Sequence, residues 1–331
     1  MTAVQFHLAS RPHGEPTAEN FRRVEVPMPQ ATPGAVVVRN AFVSVDPYMR
    51  SRMNDAEGYA AKYELDEPLY GGAVGEVIDS QDDALPVGTW VSHGLGWRTH
   101  ALVPVERAQT IDVEAAPAPS YLGTLGMTGM TGWVGLTQVA QMREGDVVFV
   151  SGAAGAVGSL VGQLARELGA SRVIGSAGSP EKVARLRELG FDAAFDYHDG
   201  PVADQLREAA PDGIDVYFDN VGGDHLEAAL ENMRLFGRIA MCGAISQYNR
   251  TGAPQGPANL TTAIGRCVRL EGFVVGQYSH LRDDFVAQVV PLVRQGRIHS
   301  DETIRDGIDA TPQAFIDLLR GANTGKMLVR L

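Results

Sequence analysis

The chain has 331 residues, 44% of them hydrophobic, and a formal net charge of −12. That length suits about two domains, each with a buried core, and the acidic balance argues against a nucleic-acid surface, which needs a basic patch. Two cysteines, Cys242 and Cys267, cannot build a disulfide framework or a zinc cluster.

The first residues, Met1-Thr-Ala-Val-Gln-Phe-His, lack the basic segment and apolar core of a signal peptide. No apolar run approaches the ~20 residues needed to span a bilayer. The expectation is a cytoplasmic protein with no membrane segment. Short β-branched runs follow at residues 36–40, 72–78, 89–91 and 98–103, divided by Pro, Gly and Asp. They predict a small barrel-like domain over residues 1–125. Near Gly126 the pattern changes: a helical stretch at 128–141 leads into strands at 147–151, 172–176, 194–195, 214–219, 238–241 and 270–275. Helical patterns at 157–168, 180–189, 202–209, 224–233, 260–268 and 281–295 alternate with them. Such alternation predicts an α/β fold with a parallel, doubly wound sheet over residues 126–296. After Gly296 the tail ends in one more strand, Lys326-Met-Leu-Val-Arg-Leu331.

Val147-Val-Phe-Val-Ser151-Gly-Ala-Ala-Gly155-Ala-Val-Gly158 reads as a buried strand, a glycine turn and a helix start. Small residues there let a backbone approach a pyrophosphate, which then sits on the helix N-terminus. Taken alone, the glycines fit an ordinary tight turn equally well. The next strand, Arg172-Val-Ile-Gly175, ends in Ser176-Ala-Gly-Ser179-Pro-Glu-Lys182, without the acid that would hold a ribose 2′-OH. A hydroxyl and an ammonium suit a 2′-phosphate instead, which carries about −1.5 to −2 charge, so the expected cofactor is NADPH. Ser179 is equally a helix N-cap with Pro180 at the first helical position. Lys182 opposes the helix dipole unless an anion is present, and just three of the chain's 28 basic residues are lysines.

In doubly wound sheets ligands lie beyond the carboxyl ends of the strands. Asp219-Asn220-Val-Gly-Gly223 follows the fourth strand of the predicted sheet, Cys242-Gly-Ala-Ile-Ser246-Gln-Tyr248-Asn249 follows the fifth, and Phe273-Val-Val275 lies in the sixth. Cys242 reads as a small buried hydrophobe rather than a nucleophile. The segment Thr251-Gly-Ala-Pro-Gln-Gly-Pro257 is a candidate lid. His93, His100 and His225 show no ligand spacing.

Together with Ser44-Val-Asp-Pro-Tyr48-Met-Arg50, Gly126-Met-Thr-Gly-Met-Thr131-Gly-Trp and Asn323-Thr-Gly-Lys326, these segments resemble the zinc-independent medium-chain dehydrogenase/reductases. Within that family they are most similar to the prostaglandin reductase, plant double-bond reductase and bacterial curcumin reductase branch. The resemblance covers nearly the whole chain. It implies a Rossmann cofactor domain, 126–296, and a discontinuous GroES-like catalytic domain, 1–125 and 297–331, with the cofactor in the cleft between them. Carried over by motif, Gly155, Ala156, Val157, Gly158 and Ser159 would hold the pyrophosphate, with Thr131 at the nicotinamide end. Ser179, Lys182 and Tyr197 would hold the 2′-phosphate. Asn220, the run Cys242, Gly243, Ala244, Ile245, Ser246 and Tyr248, then Phe273, Val274, Val275 and Asn323 would line the nicotinamide and its ribose. Metal-dependent relatives place a Cys near residues 44–50 and a His near 71–76. Here Val45-Asp46-Pro47 and Gly71-Gly72 stand in those segments, so no metal is expected. A homodimer is implied through the last strand of the cofactor sheet.

Without a Lewis acid to polarise a simple carbonyl, an alkene conjugated to a carbonyl is the easier hydride acceptor. Charge then builds on the carbonyl oxygen and needs preorganised donors. Tyr248 is the first candidate, with the cofactor ribose hydroxyl as second donor. Tyr48 could line the pocket or assist, and Tyr59, Tyr63 and Tyr70 could form an outer pocket or simple packing. A phenol with an ordinary pKa of about 10 stays protonated at neutral pH. The expected partner is a small-molecule enone. Quinone reduction by NADPH is the alternative chemistry, and a non-catalytic NADPH sensor or interaction protein is the alternative class.

Overall fold

The computed structural model describes residues 2–253 and 255–331, so Met1 and, in the 251–257 candidate lid, Pro254 lie outside the described residues. The chain forms two compact units: the first runs to Gly126 and resumes over Glu302–Leu331, and the second is Met127–Asp301.

The first unit opens with β1 (Thr2–Leu8) and β2 (Phe21–Pro27), an antiparallel ribbon that the sequence pattern does not announce. Its inward residues Phe6, Leu8 and Phe21 join Trp97 and Phe315 in one core. Phe21 stacks on Trp97 at 5.5 Å between ring centres, and Phe315 meets Trp97 edge-on at 5.8 Å. The valine run supplies the long β3 (Ala35–Ser44), which leads into the short helix α1 (Tyr48–Arg52). The strands β4 (Ala73–Asp79), β5 (Trp90–His93), β6 (His100–Pro104) and β7 (Gln109–Thr110) follow. One half of β3 pairs with β6, while β4 runs along it across two register shifts.

The second unit begins with α2 (Met127–Val134), which passes into a wider turn over Gly135–Val139. The amide of Ala140 there bonds the carbonyl of Gly135 at 2.8 Å, so the stretch expected as one helix is two. Then come β8 (Val147–Val150), α3 (Ala156–Glu167), β9 (Arg172–Ala177), α4 (Pro180–Glu188), β10 (Ala193–Asp196), α5 (Val202–Ala209), β11 (Ile214–Asp219), α6 (Gly223–Asn232) and β12 (Met233–Met241). The unit closes with α7 (Ile245–Tyr248), α8 (Thr262–Arg266), β13 (Arg269–Gly272) and α9 (Arg282–Arg294). The strands form a parallel sheet in the order β10-β9-β8-β11-β12-β13. Both faces are covered. Val148 and Val150 pack with α3, α4 and α9, and Val147 and Phe149 pack with α5 and α6. The order reverses between β8 and β11, which is where ligands bind in such sheets.

Two expectations need correction. Pairing of the sixth strand stops at Met241 with Gly272, so Phe273 to Val275 follow β13 instead of lying in it. Residues 297–301, expected with the first domain, fall in the second unit: Gln163 exchanges hydrogen bonds of 2.7 and 3.0 Å with the His299 backbone, and Arg185 grips Asp301 at 2.8 Å.

The tail is more than one strand. It contains β14 (Glu302–Asp306), α10 (Thr311–Leu319) and β15 (Lys326–Arg330). Strand β15 pairs with the end of β3, Leu328 opposite Ser44. At that join the buried Lys326 ammonium is paired with the buried Asp46 carboxylate, which also accepts the Ser44 hydroxyl at 2.5 Å. Removing one partner of such a pair strands a charge in the interior, costing about 3–5 kcal/mol. Lys326→Met is therefore expected to lower hydrogen-exchange protection of the β3 and β15 amides by about that amount. Unchanged protection would show that the pair does not hold the returning strand.

Candidate active site

Within the second unit the turn after β8 is shaped by close backbone packing. A Cβ added at Gly158 would lie 2.5 Å from the Gly152 carbonyl oxygen and 2.7 Å from Ala153 Cα, so glycine alone lets α3 start this near the strand end. Gly155 is the N-cap of α3 and contributes no side-chain cap. The first-turn N–H groups of the helix therefore point outward without intrahelical partners, as an anion site requires. Ser159 is buried one turn further in.

Two polar residues missing from the sequence expectations organise this corner. Asp219, at the end of β11, accepts through Oδ1 from the Tyr217 hydroxyl at 2.7 Å and from the Val221 and Gly222 amides at 2.9 and 2.7 Å. Ser151 Oγ lies 2.9 Å from the Tyr217 hydroxyl and accepts from the Asn220 amide at 3.0 Å. Burial pushes the Asp219 carboxyl above its ordinary value, against the pull of these donors. The strand register, not the sequence alone, brings the pair together. Val150 and Phe218 are partners in register, so with a period of two the next positions on adjacent strands are Ser151 and Asp219.

Asn220 donates through Nδ2 to the Ser151 carbonyl at 2.8 Å, and its own carbonyl accepts from the Ile245 amide at 3.2 Å. The amides of Cys242 and Gly243 bond the Asp219 carbonyl at 2.9 and 3.0 Å, and Ser246 Oγ donates to Val221 at 2.6 Å. Thus the glycine turn, Asn220 and residues 242–246 form one hydrogen-bonded group. Tyr248 ends α7, and its hydroxyl oxygen accepts from the Ala244 amide at 3.4 Å. Burial pushes the Cys242 thiol up to about 12, so no thiolate forms near neutrality. Phe273 meets Phe218 edge-on at 6.4 Å, and Val274 is partly exposed. Thr131 donates to its own helix at Met127, 2.7 Å away.

At the end of β9, Ser179 caps α4 by accepting from the Lys182 amide at 3.3 Å, so the N-cap alternative and the phosphate expectation share one hydroxyl. The Lys182 side chain is half-buried, which lowers its pKa. Tyr197 lies against Gly178, where a Cβ would come within 2.6 Å of its hydroxyl oxygen.

Tyr48 and Asn323 belong to the first unit. Burial pushes the Tyr48 phenol well up, and it lies near Arg52. Asn323 is buried and donates to Gly325 at 2.7 Å. Tyr63 is a core residue here, not an outer wall: the Arg52 guanidinium sits between the Tyr63 and Tyr70 rings, 4.2 and 4.3 Å from their centres. Among the described residues no group of three or more His, Cys, Asp or Glu is placed to hold a metal ion, and no helix is long and apolar enough to cross a membrane.

A family model described as the N-terminal domain of oxidoreductase matches residues 4–111, and one described as zinc-binding dehydrogenase matches residues 156–294. The chain is 41% identical to prostaglandin reductase 1 of Mus musculus, covering 96% of this chain and 95% of that one. It is 38% identical to the NADPH-dependent curcumin reductase of Escherichia coli, over 98% and 95% of the two chains. The crystal structure of CurA from Vibrio vulnificus in complex with NADPH superposes with a TM-score of 0.93 at 38% identity, covering 99% of this chain and 98% of that one. A parallel sheet that reverses order at its first strand, joined in sequence to a separate, mainly antiparallel unit, is the Rossmann and GroES-like pairing of the medium-chain dehydrogenase/reductases. The chain belongs to that family, in the branch of prostaglandin, plant double-bond and bacterial curcumin reductases.

Gly158→Ala is expected to push α3 off the 151–155 turn and cost about 1–3 kcal/mol. Calorimetry checks this, and an unmoved transition would mean the turn yields freely.

Proposed function

We propose that this protein reduces the C=C bond of α,β-unsaturated ketones and aldehydes with NADPH. The observation that carries the reading is the hydrogen-bonded group at the strand ends, in which Asn220 links the glycine turn at the α3 N-terminus to the segment bearing Tyr248. The named relatives support the cofactor and the substrate class.

The residues present fit a phosphorylated dinucleotide. The helix entry at Gly155 carries no side-chain cap, and no acid stands at the tip of β9. Gly155, Ala156, Val157, Gly158 and Ser159 take the pyrophosphate on the α3 N-terminus. Ser179, Lys182 and Tyr197 take the 2′-phosphate. Thr131, Asn220, residues 242–246 and Phe273 to Val275 orient the nicotinamide and its ribose. When bound, the dinucleotide supplies the hydride. Tyr248 would donate a hydrogen bond to the carbonyl oxygen, where charge would grow as the β carbon is reduced, and the α carbon would take its proton from water or a tyrosine. On the family resemblance we also assign Tyr48 to the reaction and Asn323 to the nicotinamide and its ribose, and take the protein as a cytoplasmic homodimer that works without zinc. The unpaired edge of β13 and the exposed Ile264 beside it support pairing of two copies there.

With a simple conjugated enone and NADPH, the expected product is the saturated ketone, identified by mass spectrometry and NMR. An allylic alcohol would sink the reading. Tyr248→Phe should lower kcat about a hundredfold while NADPH affinity holds, and an unchanged kcat would remove its donor role. Lys182→Ala should weaken NADPH about tenfold or more and NADH far less, as read by fluorescence titration. Equal losses would refute the 2′-phosphate site.

A further inference from the structure

We propose, on the reading of Ser179, Lys182 and Tyr197 as the 2′-phosphate site, that His198 is a specificity-determining residue: when protonated it adds positive charge at that phosphate, making the preference for NADPH over NADH depend on pH.

His198 stands beside Tyr197 of that site. Tyr197 stands against Gly178, the residue before Ser179, with its hydroxyl oxygen 2.6 Å from where a Cβ would be. The ring is held from two sides, by His198 at 4.3 Å between centres and by His225, edge-on, at 5.3 Å. The His198 side chain is 63% exposed, but it is not loose. Its Nδ1 is 2.9 Å from Oδ1 of Asp196, whose side chain is 8% exposed, and its backbone amide donates to the same oxygen at 3.0 Å. A carboxylate oxygen that already receives an amide keeps the hydrogen of the imidazole on Nδ1.

With Nδ1 committed, Nε2 has two states. In the neutral ring it is a lone pair, which repels a phosphate oxygen. In the protonated ring it is a charged N–H donor, which binds one. Imidazole changes charge between about pH 5 and 8, whereas a phosphate monoester remains mainly dianionic above its second pKa of about 6.

The neighbouring charges make that change matter. Asp196 bonds the ring, and Glu181, in the first turn of α4, is held below its usual carboxyl value by hydrogen bonds from its own amide and Ser179 while feeling Asp196. These two carboxylates oppose Lys182 at the same corner. His225, on the far side of Tyr197, is pushed down to about 4 by burial and stays neutral throughout this range. Tyr197 is pushed up by burial and stays a phenol.

The test is fluorescence titration of the full-length protein with NADPH and NADH at pH 6.5, 7.5 and 8.5, using wild type, His198→Gln, His198→Lys and Lys182→Ala. The expected result is an NADPH Kd that rises about fivefold with pH in wild type, while the NADH Kd moves less than about twofold. His198→Gln should show the weak, alkaline value at every pH, and His198→Lys the tight value at every pH. A wild-type pH dependence that persists in His198→Gln, alongside a normal Lys182→Ala effect, overturns the role of the histidine alone. A Lys182→Ala variant that keeps its preference for NADPH overturns the phosphate site, and this role with it.

Discussion

The second unit turns on one buried carboxylate. Asp219 gathers a phenol and two backbone amides on a single oxygen, and its carbonyl takes the amides of Cys242 and Gly243. Through these bonds, and through the Ser151 hydroxyl 3.4 Å from the same oxygen, the ends of β8, β11 and β12 are fixed to one another. A charge or polar group held inside a protein is costly unless it is satisfied, and here the donors on Oδ1 draw the loops into register while Oδ2 is buried without a hydrogen-bond partner. The loops after β8, β11 and β12 would otherwise be independent connections. Asp219, through its carboxylate and its backbone carbonyl together, makes them one surface, on which Asn220 and the segment leading to Tyr248 keep fixed positions.

The first unit has a counterpart in the Lys326–Asp46 pair. It joins the last strand of the chain to the segment between β3 and α1, in which Tyr48 begins the helix. A discontinuous unit must close a loop of well over a hundred residues, and lengthening such a loop costs little once its ends are joined. A buried ion pair is weak evidence for net stability but a strong device for specifying register. The edge-on contact of Phe315 with Trp97 then adds apolar closure from α10.

Much of this was legible in the sequence, and the reasons for the exceptions are physical. The parallel sheet could be read because strands buried on both faces are continuous apolar runs, and Val147 to Val150 is one. The glycine turn, the cap at Ser179 and the final strand could be read for similar local reasons. The ribbon of β1 and β2 could not, because its strands alternate imperfectly and half of β2 is charged. Strand β14, Glu302–Asp306, is a polar edge that exists through its pairing with β15. Helix α10 did leave a signal, Thr311-Pro312 followed by Phe315, Leu318 and Leu319 at helical spacing. The roles of Ser151 and Asp219 needed the strand register, which is a property of the assembled sheet.

The sulfur of Cys242 sits in the turn that leads to Tyr248, and burial keeps it protonated far above neutral pH. Conjugated alkenals and enones are soft electrophiles that add to thiolates without any catalyst. By holding this sulfur in its thiol form, the packing that positions the loop also makes Cys242 a poor target for such electrophiles.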